Sequence, residues 1–227
     1  MYRFVLTAMI CLLAGIEPVL AANEAAPAAS TSATDKPVIS MEVPMAGDFW
    51  TYELRDEISG TVKAVRKNLV TEVTATEISI RFNIQGRPEE GLNVYDRSWN
   101  LKSAAPWKYT PHDGSGMQSP LKAGANWKFE GDDINASNGN IWKRSGRSKV
   151  VGQETITTQA GTFETFKIET TINRRPTNDP TRKMEIIQQT WYAPAVDHWV
   201  KRTQVGRGNG NLIFNNTIEL VEYGRRK

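Results

Sequence analysis

The chain has 227 residues, with 28 Lys and Arg against 25 Asp and Glu, a formal net charge of +3. That balance is mildly basic and lacks the one-sided excess of a nucleic-acid binder, so no nucleic-acid partner is expected. The single cysteine, Cys11, lies in the apolar amino-terminal stretch. The rest of the chain therefore offers no thiol nucleophile, no cysteine-ligated zinc site and no disulfide framework.

Met1–Tyr2–Arg3 is a short basic start, FVLTAMICLLAG follows as an apolar run, and Val19–Leu20–Ala21 supplies small residues before a cut. This order predicts a secretory signal peptide over 1–21. The run is too short for a membrane span, and Glu17–Pro18 interrupt it. Ala8–Met9–Ile10 before Cys11 lack the small residue of a lipoprotein signal, so no lipid anchor is expected. Residues 22–40, rich in Ala, Ser, Thr and Pro, read as a flexible leader. About 180–190 residues remain, enough for a core without disulfides. The expected location is periplasmic or secreted.

From Met41 onward the pattern is alternation with period two. Ile78, Ile80, Phe82 and Ile84 share one face, and Phe166, Ile168, Thr170 and Ile172 share another. Leu212, Phe214, Ile218 and Leu220 do so in a long C-terminal strand interrupted by Asn216. One wet and one dry face per strand predicts antiparallel sheet. Turn signals separate the strands, the strongest being Arg207-Gly208-Asn209-Gly210, where Gly and Asn accept positive φ.

A short repeat is present. Ala46-Gly47-Asp48-Phe49-Trp50-Thr51-Tyr52-Glu53 returns as Ala123-Gly124-Ala125-Asn126-Trp127-Lys128-Phe129-Glu130, and Asp56 and Asp133 keep the same offset from their tryptophans. This suggests two related β-meanders, 41–102 and 121–223, joined by a loop over 103–120. Trp107 and Tyr109 imply that this loop packs on something. Residues 224–227 form a basic tail. Basic clusters at Lys143–Arg144, Arg147 and Lys149 and in the tail read as solvated faces, or as weak attraction to an anionic surface.

Residues 151–168 (VGQETITTQAGTFETFKI), then Thr190-Trp191-Tyr192-Ala193-Pro194 and Val200-Lys201, resemble a family of uncharacterised bacterial envelope proteins. Its members carry a V-x-G-x-E-x-V-x-x-x-A-G-T-F stretch followed by T-W-Y-A-P-G-V-G. The resemblance covers roughly Gly124 to Tyr223. It implies exported, β-rich, barrel-like or half-barrel domains, often lipoproteins, and brings no catalytic residues with it. Here Ala195 and Asp197 stand where glycines are usual, and His198 and Trp199 precede Val200.

Tests for chemistry end mostly in structural readings. Ser115 with His112 and Asp113 lacks the glycine of a nucleophile elbow. Asp197 and His198 are adjacent, so on a strand they point to opposite faces and cannot form an oriented pair. In GDDINASNGN (131–140), counting from Asp133 puts Asn138 and Arg144 where a calcium loop needs Gly and Glu. Two histidines without cysteine make no zinc signature. Gly206-Arg207-Gly208-Asn209-Gly210 precedes no helix, so no dinucleotide site follows. The paired acids Asp56–Glu57, Glu89–Glu90 and Asp132–Asp133 sit beside turns. No catalytic residue, metal or cofactor is expected.

Seven tryptophans remain. Trp50, Trp127 and Trp191 are expected in the core. Trp99, Trp107, Trp142 and Trp199, with His198, are the candidates for ligand binding, set against the core-filling role that large β-formers ordinarily take. The expected protein is all-β and antiparallel, its two meanders forming one curved sheet, half-barrel or sandwich. Its expected role is non-enzymatic binding of an apolar or amphiphilic envelope molecule on the concave face. A glycan-binding module using exposed tryptophans is the second reading and a hydrolase the third.

Overall fold

The structure is a computed structural model that describes residues 41–112 and 114–226. The signal and leader, Asp113 and Lys227 lie outside the described residues. Twelve antiparallel strands run in chain order: β1 (Asp48–Asp56), β2 (Thr61–Val73), β3 (Glu77–Ile84), β4 (Glu90–Asp96), β5 (Leu101–Ala104), β6 (Trp107–Thr110), β7 (Asn126–Asn135), β8 (Ile141–Thr158), β9 (Gly161–Pro176), β10 (Met184–Ala193), β11 (His198–Gly208) and β12 (Asn211–Arg225). Each strand pairs with its chain neighbours, and β12 pairs with β1, so the sheet closes into an up-and-down barrel. Closure removes the exposed edges that an open sheet of this length would present.

The alternation seen in the sequence becomes inside and outside. Trp50 and Tyr52 point inward opposite Tyr223 and Leu220 of β12, and Ile78 and Ile80 of β3 are buried. Arg81, Lys128, Glu130, Lys143, Arg147 and Glu169 fall on the opposite face and are exposed. That is the reverse of a lipid-spanning barrel, whose outer band is apolar. Asn216 keeps the inward phase of β12. A register shift between Gly206 and Arg207 breaks that phase at the strand start, and Leu212 is 47 % exposed.

The segment 103–120, expected as a joining loop, carries the end of β5 and all of β6. In WKYT the Trp and Tyr are half-buried and Lys108 and Thr110 exposed, a strand's alternation too short to stand out in the sequence. The two matched octapeptides open β1 and β7 with one local geometry. Gly47 and Gly124 both take positive φ, and their N–H groups donate to Val70 and Val150 of the following strand. The expected turn at Asn209–Gly210 has both residues at positive φ, as a two-residue hairpin turn requires.

Core packing is concentrated at one end of the barrel. Met41, Trp50, Phe163, Ala193, Val196, Val200 and Leu220 form a cluster there, and Trp191 joins it. Pro194–Val196 forms a single 3-10 turn between β10 and β11, tied down by Met41 N–H donating to Ala195 O. A second cluster of Trp127, Phe129, Val150 and Ile168 lines the wall of β7, β8 and β9.

Candidate functional site

Register places one inward row on every strand. Arg66 of β2 lies between Tyr52 and Ile84, and Arg202 of β11 lies between Thr190 and Ile218. Asn68, Asn93, Gln188, Gln204 and Asn216 occupy inward positions on neighbouring strands. The lumen thus changes from an aromatic end to a polar middle.

At the aromatic end His198 is the hub. It is buried and stacks on Trp50, with ring centroids 4.8 Å apart, while Trp99 meets it edge-on at 4.7 Å. Its Nδ1 lies 2.6 Å from Tyr52 Oη, and Tyr52 Oη donates to Trp199 O at 2.8 Å. The phenol has one proton. With that proton on Trp199 O, His198 Nδ1 must carry its own hydrogen and Nε2 is a bare acceptor. Burial, reinforced by the charge of Arg202, pushes the imidazole down to about 3, so the ring is neutral. Tyr52 also stacks on Trp199 at 3.9 Å, and burial pushes its phenol well up.

Trp99 reaches this cluster from the β4–β5 turn with φ 61, a left-handed conformation rare for an aromatic residue. Such strain costs on the order of 1–3 kcal/mol and persists only where the surroundings hold it. Tyr95 and Trp50 pack against the ring. Asp197, also at positive φ, does not orient His198: its carboxylate takes the hydrogen bond of Tyr192 Oη. Burial raises the Asp197 carboxyl, offset by the Tyr192 hydroxyl and by Arg97.

Below the aromatics, a cavity of ≈ 200 Å³ is lined by the apolar side chains of Trp99, Leu101, Met117, Phe129 and Ile172. Tyr95 and Trp199 line it too, with the polar groups of Thr170, Gln188, Arg202 and Arg144 set among them. Ser115 and His198 also border it. Arg202 Nε donates to Thr190 Oγ1 at 3.2 Å, and the guanidinium lies 4.5 Å over the Trp199 ring. Burial pushes Arg202 down to about 10. Arg66 Nε donates to Asn68 Oδ1 at 2.8 Å, and its guanidinium covers Phe82 at 3.6 Å. Turned to satisfy both its ends, the Asn93 amide accepts from Arg66 Nη2 and Tyr95 Oη, each at 3.0 Å.

The five nominated residues therefore divide. Trp99, Trp199 and His198 meet at the cavity. Trp107 and Trp142 stand at the other end of the barrel, flanking the Arg174 guanidinium at 5.9 and 5.5 Å. There Asp133, 1 % exposed, takes Arg144 at 3.0 Å and Arg174 at 2.6 Å. Of the two acids in the 131–140 stretch, Asp133 is thus committed to two arginines and Asp132 to Lys143. Trp50, Trp127 and Trp191 are buried, as expected.

A family model described as DUF3108-like matches residues 114–212, a stretch that includes Ala160–Phe163 and Thr190–Pro194. No curated protein matches the chain. Among solved structures, a protein of Bacteroides fragilis described as exported and of YmcC-like fold aligns with a TM-score of 0.56, at 14 % identity, over 83 % of this chain and 100 % of that one. The barrel has this YmcC-like fold. A Parabacteroides distasonis protein described as a lipoprotein aligns at TM-score 0.55, 15 % identity, over 82 % and 99 % of the two chains.

In this YmcC-like barrel the AGTF and WYAP stretches do packing work. Gln159 and Ala160 turn the β8–β9 hairpin, and Phe163 enters the core, its ring centroid 5.7 Å from that of Tyr223. Trp191 donates to Glu154 and lies between Lys167 and Lys201, while Ala193 is fully buried. Sequence reasoning missed Tyr52, Arg66 and Arg202. A signal for them existed: in AVRKNLV and WVKRTQV each arginine is in phase with a buried valine, where an outward strand face would not put it.

Proposed function

We propose that this is an exported, non-enzymatic binding protein of the cell envelope, and that it takes a small amphiphilic molecule into the barrel. The carrying observation is the cavity below Trp99, where apolar side chains stand beside Arg202, Gln188 and Thr170. An amphiphile has both surfaces in one molecule, and ligand pockets combine an apolar lining with a few placed polar groups in the same way. The volume is below the roughly 300 Å³ of ordinary ligand pockets, so the guest is small, or enters only by its tip. Export is supported by the signal-like residues 1–21, and the Bacteroides and Parabacteroides proteins of the same fold are described as exported or as a lipoprotein. A glycan platform has less support, because none of the seven tryptophans is exposed.

Native mass spectrometry of the exported protein, followed by organic extraction, tests this. The expected result is a co-purifying amphiphile released with the fold intact. A bare chain whose tryptophan fluorescence shifts on adding cell-wall glycan would overturn it.

A further inference from the structure

Charge balance inside the barrel is uneven. Arg66 and Arg202 both reach the lumen, and each lies within electrostatic range of Tyr52, Tyr95 and His198. Among the described residues neither has a carboxylate partner: every arginine ion pair is made by Arg55, Arg81, Arg144, Arg174 or Arg225. Asp133 serves Arg174 and Arg144, of which Arg144 also borders the cavity. Both side chains are half-buried, and charge drawn out of water is ordinarily paired, because the lost hydration must be replaced. Here amides, hydroxyls and ring faces replace only part of it. Among the described residues Arg202 makes one hydrogen bond to the protein, through Nε, and its side chain borders the cavity.

We infer that the cavity is an acid-head site: Arg202, backed by Arg66, receives the carboxylate or phosphate monoester of a short-chained amphiphile whose apolar part lies against Trp99, Met117, Phe129 and Ile172. The inference rests on the amphiphile reading above and adds its charge. A guanidinium presents a planar fork of donors that matches two oxygens of such a head, and the pairing strengthens away from water. A cationic guest would meet the like charge of Arg202, and an uncharged one would leave that guanidinium uncompensated. Trp199, stacked between Tyr52 and Arg202, holds the fork in place.

Octanoate, octyl phosphate and 1-octanol, titrated calorimetrically into wild type, Arg202→Gln, Arg202→Lys and Arg66→Gln, test it, with circular dichroism confirming each fold. Wild type is expected to bind an acid roughly tenfold or more tighter than the alcohol. The better of the two acids identifies the head group. Arg202→Gln is expected to erase that preference while leaving octanol within about twofold, and Arg202→Lys to keep most of it. If Arg202→Gln does not fold, Arg66→Gln carries the comparison, with a reduced acid preference expected. Equal binding of acids and alcohol overturns the acid head and leaves the amphiphile reading standing. Acid preference that survives Arg202→Gln and Arg66→Gln places the head elsewhere and also overturns it. Binding of none of the three overturns both.

Discussion

Tyr52 Oη lies 2.6 Å from His198 Nδ1, joining β1 to β11 between residues 146 apart in the chain. The same oxygen donates to Trp199 O, so one hydroxyl satisfies two buried groups. Around that contact stack Trp50, Trp99 and Trp199, and the cavity opens below them.

Removing the hydroxyl tests the contact. Tyr52→Phe keeps the ring stack and removes both bonds, leaving His198 Nδ1 and the Trp199 carbonyl only their 3.4 Å contact with each other. The expected cost is about 1–3 kcal/mol, the penalty for unmade buried hydrogen bonds. Urea denaturation at pH 7 measures it.

The neutral imidazole makes stability depend on pH. His198 is pushed down to about 3 in the fold, from an ordinary 6.5. Below pH 6.5 the unfolded chain takes up a proton that the barrel refuses, so stability falls with pH from about 6.5 to about 3. Between pH 7 and 5 this loss is about 2 kcal/mol. Asp48, Asp133 and Asp197 are raised chiefly by burial and act with the opposite sign at lower pH. The difference between wild type and His198→Gln isolates the histidine. Denaturation midpoints at the two pH values should show a flatter dependence in the variant.

The far end of the barrel depends on one acid. Asp133→Ala leaves Arg144, 9 % exposed, and Arg174 without a counter-charge. A broken buried pair costs about 3–5 kcal/mol, so a large drop in melting temperature is expected. Asp133→Glu, which keeps the charge and misplaces it, should fall between that variant and wild type.

Two glycines of β8 should behave oppositely. A Cβ on Gly146 would come within 2.3 Å of the Phe129 ring and 2.6 Å of Thr171 O. The backbone oxygen cannot yield as a side-chain tip can, and overpacking of this kind costs about 1–3 kcal/mol. Gly152 has nothing within 4 Å of its missing Cβ. Gly146→Ala should destabilise and Gly152→Ala should not, by thermal melts of the two proteins side by side.

How far the sequence reached can be judged from particular residues. Ile78 and Ile80 alternate, and they are buried as that alternation predicts. Trp107 and Tyr109 also alternate, but four residues are too few to separate a strand from a loop without its partner β7. Leu212 continues the apolar row of β12 on paper and leaves it in space, because a register shift changes phase where spacing alone shows none.

By itself the sequence determined the all-β class, the antiparallel pairing and the hairpin at Asn209–Gly210. These are local properties, set by period-two alternation and by residues that accept positive φ. Closure of β12 on β1 and the meeting of Trp99, Trp199 and His198 belong to the tertiary structure alone, as does the separation of Trp107 and Trp142 from them. The physical reason is that a barrel interior gathers one row from every strand. Which side chains share that interior depends on register and closure, and neither is encoded within any one segment.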